Sequence, residues 1–173
     1  MEGVERYKVK LLSHNLEWDK EFIRTKQELL DCWQNNILSV QHIGSTAIKS
    51  ICAKPILDIA VKLKSIEDMN IDKLVNLGYD YCGPQHGNSF YHLFVLRGNN
   101  QISLRHIHCY DKREEGFELL VGFRDYLNAN PLIAIQYDNL KKELSEKYPN
   151  DRISYTKGKE DFILSVYERL KLK

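Results

Sequence analysis

The stretch PILDIAVKL, residues 55–63, constrains this chain more than any other. A run so dense in Ile, Leu, Ala and Val, opened by a proline, reads as a strand buried in a core. One carboxylate, Asp58, stands inside it. An isolated ionised carboxylate in an apolar strand costs several kcal/mol unless a cation compensates it. The fold must therefore bring Asp58 a partner. Lys54 or Arg105 could supply it as a salt bridge, or a divalent metal could, since Mg²⁺ is commonly held by one or two carboxylates together with substrate phosphates.

The preceding apolar run, ILSVQHIG at 37–44, is a second strand and leads into Gly44, Ser45 and Thr46. A strand ending in such a turn can offer backbone N–H groups and a hydroxyl to phosphate oxygens, because glycine accepts positive φ and lets the backbone approach closely. A plain turn is the simpler reading of so short a motif. Nearby polar residues add weight to a phosphate cradle: His42 just before the turn, Lys54 as a mobile point charge, and Arg124 and Lys159 from the helical half. Many such cations are only solvated surface.

His106 and His108 lie two apart in a predicted strand, so they share one face. They read as ordinary polar residues, metal ligands, phosphate donors or a general base.

Around these residues the sequence changes period. Residues 16–36 put Trp18, Phe22, Leu29 and Trp33 near helical spacing, with acids early in the segment. Ser65 is a candidate N-cap for a short helix ending at Gly78, followed by a strand. Phe90–Arg97 and Gln101–Tyr110 read as antiparallel strands joined at Gly98, Asn99 and Asn100. From Arg113 onward the pattern is helical, and three helices are expected, one of them opening at Pro131. This order predicts one α+β domain over residues 1–173, a mixed and mostly antiparallel sheet with helices packed on it and a helical C-terminal portion.

Composition narrows the function classes. Hydrophobic residues at 43% and charged residues at 28% fit a compact globular chain rather than a disordered one. A net charge of +1 supplies no global field for nucleic acid or anionic lipid, so any anion site must be local. Cys32, Cys52, Cys82 and Cys109 form no C-x-x-C pair, which argues for free thiols in a reducing compartment. The first residues lack the apolar segment of a signal peptide, and no apolar run nears the ~20 residues that span a bilayer. A cytoplasmic location without a membrane role is expected.

The segments QHIGSTAIKSICAKPILDI, HIHCY, FRDYL and YTKGKEDFI, in this order, resemble the GrpB family of the nucleotidyltransferase-like superfamily. The family pattern falls on His42, Gly44, Ser45, Thr46, Ala53, Lys54, Pro55 and Asp58, then on His106 and His108, Phe123 to Leu127, and Tyr155, Lys159 and Phe162. Two stretches depart from it: Lys49-Ser50 replaces a Pro-Gly pair in the loop, and Asn128 stands where an arginine often follows.

The resemblance implies a nucleotidyltransferase-like fold in which the Gly-Ser turn grips a nucleoside triphosphate, or another phosphorylated small molecule, and Asp58 is the first acid of a Mg²⁺ or Mn²⁺ site. The usual second acid, two residues on, is Ala60. A two-metal clamp needs enough carboxylate to hold both ions. The remaining ligands would have to be His106, His108 or a more distant acid such as Asp125, and a transition metal becomes an alternative. Three functions follow: a nucleotidyltransferase, a nucleotide-binding module that has lost its chemistry, or another metal-dependent phosphate reaction.

Overall fold

The computed structural model describes residues 1–5 and 7–171. Helix α1 (Glu17–Trp33) buries Trp18, Thr25, Leu29 and Trp33 along one stripe and carries Glu17 and Asp19 in its first turn. Five strands follow the order β1-β2-β5-β4-β3 across one sheet: β1 (Ile37–Ile43), β2 (Leu57–Leu63), β3 (Tyr79–Gln85), β4 (Asn88–Arg97) and β5 (Ser103–Asp111). Only the β2/β5 pair is parallel. The expected mixed, mostly antiparallel sheet is therefore present.

The apolar density of β2 follows from its place between β1 and β5, where both faces are covered. Leu57, Ile59, Val61 and Leu63 pack with Leu29, Trp33, Ile107 and Cys109 on the α1 face. Ala60, from the alternate set, packs with Ile43, Tyr110 and Phe117 on the other face. Asp58 belongs to that second set. A single strand thus closes the main core with one side and presents a carboxylate with the other.

Helices α3 (Gly116–Ala129), α4 (Pro131–Lys147), α5 (Arg152–Lys157) and α6 (Glu160–Lys171) cover the Asp58 face. Ile48 and Ile51, from the loop between β1 and β2, pack among Phe123, Leu127, Ala134, Tyr137 and Val166. Pro131 opens α4 as expected. The third predicted helix is divided into α5 and α6: Asp151 caps the first by accepting from the Ser154 backbone N–H, and Gly158 closes it. A Cβ at Gly158 would run into the Leu144 side chain of α4, which would have to shift to admit a larger residue.

Two further boundaries differ from the sequence expectation. Helix α2 (Ile71–Val75) starts at Asn70, whose side chain accepts from the Lys73 N–H, rather than at Ser65. Ser65 instead closes a local turn by accepting from the Asp68 N–H. Strand β5 begins at Ser103 rather than Gln101, because Asn100 and Gln101 both adopt positive φ, at 55° and 59°, and cannot continue an extended ladder.

Candidate functional site

The site is built where β1 ends against β2. Ile43 pairs with Asp58, so Gly44 begins its turn directly over the carboxylate. Gly44 has φ 70° and ψ −172°, a conformation essentially reserved for glycine. Space demands glycine as well, since a Cβ there would lie 2.7 Å from Asp58 Oδ2. Ser45–Ala47 then form one 3-10 turn.

From the other side, the parallel ladder sets His106 beside Asp58 and His108 beside Ala60. His106 Nδ1 donates to Asp58 Oδ1 at 2.8 Å, and His108 Nε2 lies 3.6 Å from the same oxygen. These histidines, rather than Lys54 or Arg105, are the side chains that meet the Asp58 carboxylate. The strand period explains the difference for Arg105: it points to the opposite face, where its guanidinium meets Glu21, Glu28 and the Tyr79 hydroxyl. Burial raises the Asp58 carboxyl, but hydrogen bonds and charge from His106 and His108 outweigh it and hold the group well below the ordinary carboxylate range.

Gly44, Ser45, Thr46, Lys54, Asp58, His106, His108 and Lys159 line one cleft of about 380 Å³, closed by Tyr137, Tyr155 and Tyr167. Lys54 Nζ and Lys159 Nζ lie 5.3 and 4.8 Å from the Tyr155 ring centroid, so two ammonium groups flank one aromatic ring. Burial, reinforced by Arg152 and Lys159, lowers Lys54 to about 7. Lys159 falls to about 8, again chiefly through burial.

Two candidates lie behind the cleft instead of in it. His42 stacks on Phe22 with ring centroids 5.2 Å apart, and its Nε2 shares a 2.9 Å hydrogen bond with the buried Thr46 hydroxyl. Burial lowers His42 to about 4, so the ring is neutral near pH 7 and braces the turn from beneath. Arg124 Nη1 donates to Gln41 Oε1 and the His42 carbonyl at 3.0 and 2.7 Å. It ties α3 to β1 and is not part of the cleft lining. Asp125, proposed from sequence as a distant acid, is exposed and pairs with Arg124.

Sequence reasoning passed over two supports and met a third only as a departure from the family pattern. Tyr91 Oη is 2.7 Å from His108 Nδ1, and its ring stacks on Tyr110 at 4.5 Å; a partner on Nδ1 aims Nε2 at Asp58. Asp138 Oδ1 accepts from the Cys52 N–H at 2.7 Å while the buried Lys141 donates to the Cys52 carbonyl, fastening the β1/β2 loop to α4. Asn128 accepts from the Lys49 N–H and donates to the Ala47 carbonyl, at 3.3 and 3.1 Å. The two departures from the family pattern therefore touch each other. Of these supports only Asn128 left a signal in the sequence, as a departure from an expected arginine.

Asp58, His106 and His108 each offer a ligand atom within 4.8 Å of the others. One carboxylate and two imidazoles can hold one divalent ion. Ala60, fully buried, supplies nothing toward a second.

The family pattern described as GrpB protein matches residues 8–169. The chain belongs to the GrpB family. It is 38% identical to the glutamate-rich protein GrpB of Alkalihalophilus pseudofirmus, covering 98% of this chain and 100% of that one. Against the UPF0157 protein YqkA of Bacillus subtilis it is 32% identical over 95% of its length and 48% of the relative's. The crystal structure of conserved protein GrpB from Enterococcus faecalis superposes with a TM-score of 0.83 and 30% identity, covering 92% of this chain and 96% of that one. Cid1 poly(U) polymerase, solved with MgGTP bound, superposes at a TM-score of 0.54 over 79% of this chain and 44% of that one. At 10% identity this likeness is one of fold: the GrpB chain has a nucleotidyltransferase-like architecture. Among the described residues no helix is long and apolar enough to cross a membrane.

Proposed function

We propose that this GrpB protein acts as a single domain that transfers a nucleotidyl group from a nucleoside triphosphate to an acceptor, with the triphosphate lying between the Gly44-Ser45 turn and Lys54 and Lys159. The observation that carries this reading is the close approach of Gly44 to Asp58 inside a nucleotidyltransferase-like fold. Backbone N–H groups of the turn and two lysine ammonium groups are suited to phosphate oxygens. Asp58, His106 and His108 would hold one divalent ion, which would neutralise charge developing on the transferred phosphate. Two imidazoles beside one carboxylate favour Mn²⁺ or a transition metal over Mg²⁺, which prefers oxygen ligands.

In the transfer, an acceptor oxygen bonds to the α-phosphorus and releases its proton to solvent. The bond from that phosphorus to the bridging oxygen breaks, and pyrophosphate leaves with the electron pair. His108, oriented by Tyr91, and His106, oriented by Asp58, fix the site's geometry before substrate arrives. Four unpaired cysteines suit a reducing compartment, and we place the activity in the cytoplasm.

Ala60 supports a second reading, a nucleotide-binding module without turnover, because its buried methyl stands where another acid would complete a two-metal site. Thermal unfolding separates the possibilities. A triphosphate at ~100 times its dissociation constant adds ~2.7 kcal/mol, worth roughly 2–4 °C per kcal/mol in a chain of this size. A Mn²⁺-dependent shift that Asp58→Ala abolishes supports the site, and its absence with every triphosphate refutes it. Release of pyrophosphate then distinguishes transfer from binding alone.

A further inference from the structure

A second and larger hollow, about 1030 Å³, runs along the same sheet face away from Gly44. Leu93 and Val95 of β4 form its floor. They pair with His108 and His106, so they extend the histidine face by one strand. Ile153, Ile163 and Leu164 from α5 and α6 form the wall. The hollow is continuous with the Asp58 cleft, since His106, Arg152, Thr156, Ile163 and Tyr167 line both.

Two side chains of the wall are unusually open for their type, Ile153 at 78% and Leu164 at 50% exposure. Contiguous apolar side chains exposed beside a reactive centre mark a contact surface. The rim carries a net positive charge of one: Arg97, Arg152 and Lys157 stand with Glu160, and Asp80 pairs Arg97 at 2.9 Å. A single strand of nucleic acid calls for a basic groove that tracks successive phosphates and aromatic platforms for the bases. Here Tyr7 and Tyr167 are the tyrosines of the lining, while the floor and wall between them are aliphatic and the rim offers too little net charge to track successive phosphates. The volume lies just above the range for small-ligand sites, about 300–1,000 Å³.

We propose that this groove is the acceptor site, and that it takes a small molecule with an apolar body and an anionic group, whose hydroxyl is delivered at His106. The inference rests on the nucleotidyl-transfer reading of the adjoining cleft. The hydroxyl oxygen would bond to the α-phosphorus as pyrophosphate departs and the proton passes to solvent, so no oxidant or reductant is needed.

The probe is 8-anilinonaphthalene-1-sulfonate, an aromatic anion that fluoresces on apolar contact, titrated into the full chain and into the Ile153→Glu/Leu164→Glu variant. Both positions are exposed, so the variant should keep the wild-type circular dichroism and melting temperature. The expected result is at least tenfold weaker dye binding in the variant, with its metal-dependent triphosphate shift unchanged. No dye binding to the wild type, or equal binding to both proteins, overturns the groove. So does displacement of the dye by a short oligonucleotide, or a wild-type dimer that the variant converts to monomer, which would assign the face to nucleic acid or to a second copy. If no triphosphate shifts the wild type, the nucleotidyl reading fails separately, while the dye still reports whether the groove binds an apolar anion.

Discussion

Gly44 lies so close to Asp58 that any side chain on the glycine would overlap the carboxylate: its Cβ would be 2.7 Å from Asp58 Oδ2. The turn and the acid are therefore a single construction. Gly44→Ala adds this clash to a backbone conformation that costs about 1–3 kcal/mol for a non-glycine residue. A drop of at least several degrees in melting temperature is expected, together with loss of triphosphate binding. An unchanged melting curve would mean that the turn can move away from Asp58.

His42 predicts a specific acid sensitivity. Its ordinary value of 6.5 falls to about 4 in the folded chain, mainly through burial. The unfolded chain then takes up a proton that the folded chain refuses, so stability falls as pH drops from about 6.5 to about 4. At about 1.4 kcal/mol per pH unit the loss amounts to ~3 kcal/mol. Urea unfolding of the wild type and His42→Asn at pH 7 and pH 4.5 measures it, and the variant should show the smaller difference between the two.

Lys54 and Lys159 give anion binding the opposite pH trend. Lowered to about 7 and about 8, both are cationic only toward the acid side of those values. Affinity for inorganic triphosphate should therefore weaken from pH 6.5 to pH 9, and isothermal titration calorimetry reads this directly. The dependence should flatten in the Lys54→Gln/Lys159→Gln variant, whereas Arg124→Gln should leave anion affinity near wild type because Arg124 is held by Gln41 and the His42 carbonyl.

Tyr91 should act through His108. Burial pushes its phenol up to about 12, so it serves as a neutral hydrogen-bonding partner at the 2.7 Å contact with His108 Nδ1. Removing the hydroxyl in Tyr91→Phe should weaken Mn²⁺ binding by about 10–100-fold, the usual cost of losing a ligand's outer partner. Retained stacking on Tyr110 should preserve the fold. Undiminished Mn²⁺ affinity would show that the hydroxyl does not orient the ligand.

Ala60 offers a test of the one-metal reading. Its methyl is fully buried among Ile43, Tyr110 and Phe117. Ala60→Asp should destabilise the chain by several kcal/mol, because it buries a charge without a built partner. Recovery of wild-type stability with Mn²⁺ would instead reveal room for a second ion.

Much of this was legible in the residues themselves. The density of 55–63 identified a buried strand, the single acid within it demanded a partner, and the two-residue spacing of His106 and His108 placed them on one face. These features are local, because strand alternation is set by the covalent geometry of the backbone. The tertiary structure decided which partner arrived. Arg105 and His106 are neighbours in sequence and strand alternation sends them to opposite faces, but only the parallel β2/β5 register, which sets His106 beside Asp58, made the histidine the one that meets the carboxylate. Lys54 and Lys159 meet around Tyr155, and Asn128 reaches Lys49, through helix packing that no local period encodes. Local residue pattern was enough to show which side chains needed a partner. Long-range strand pairing and helix docking determined which of them meet, and so which belong to the cleft.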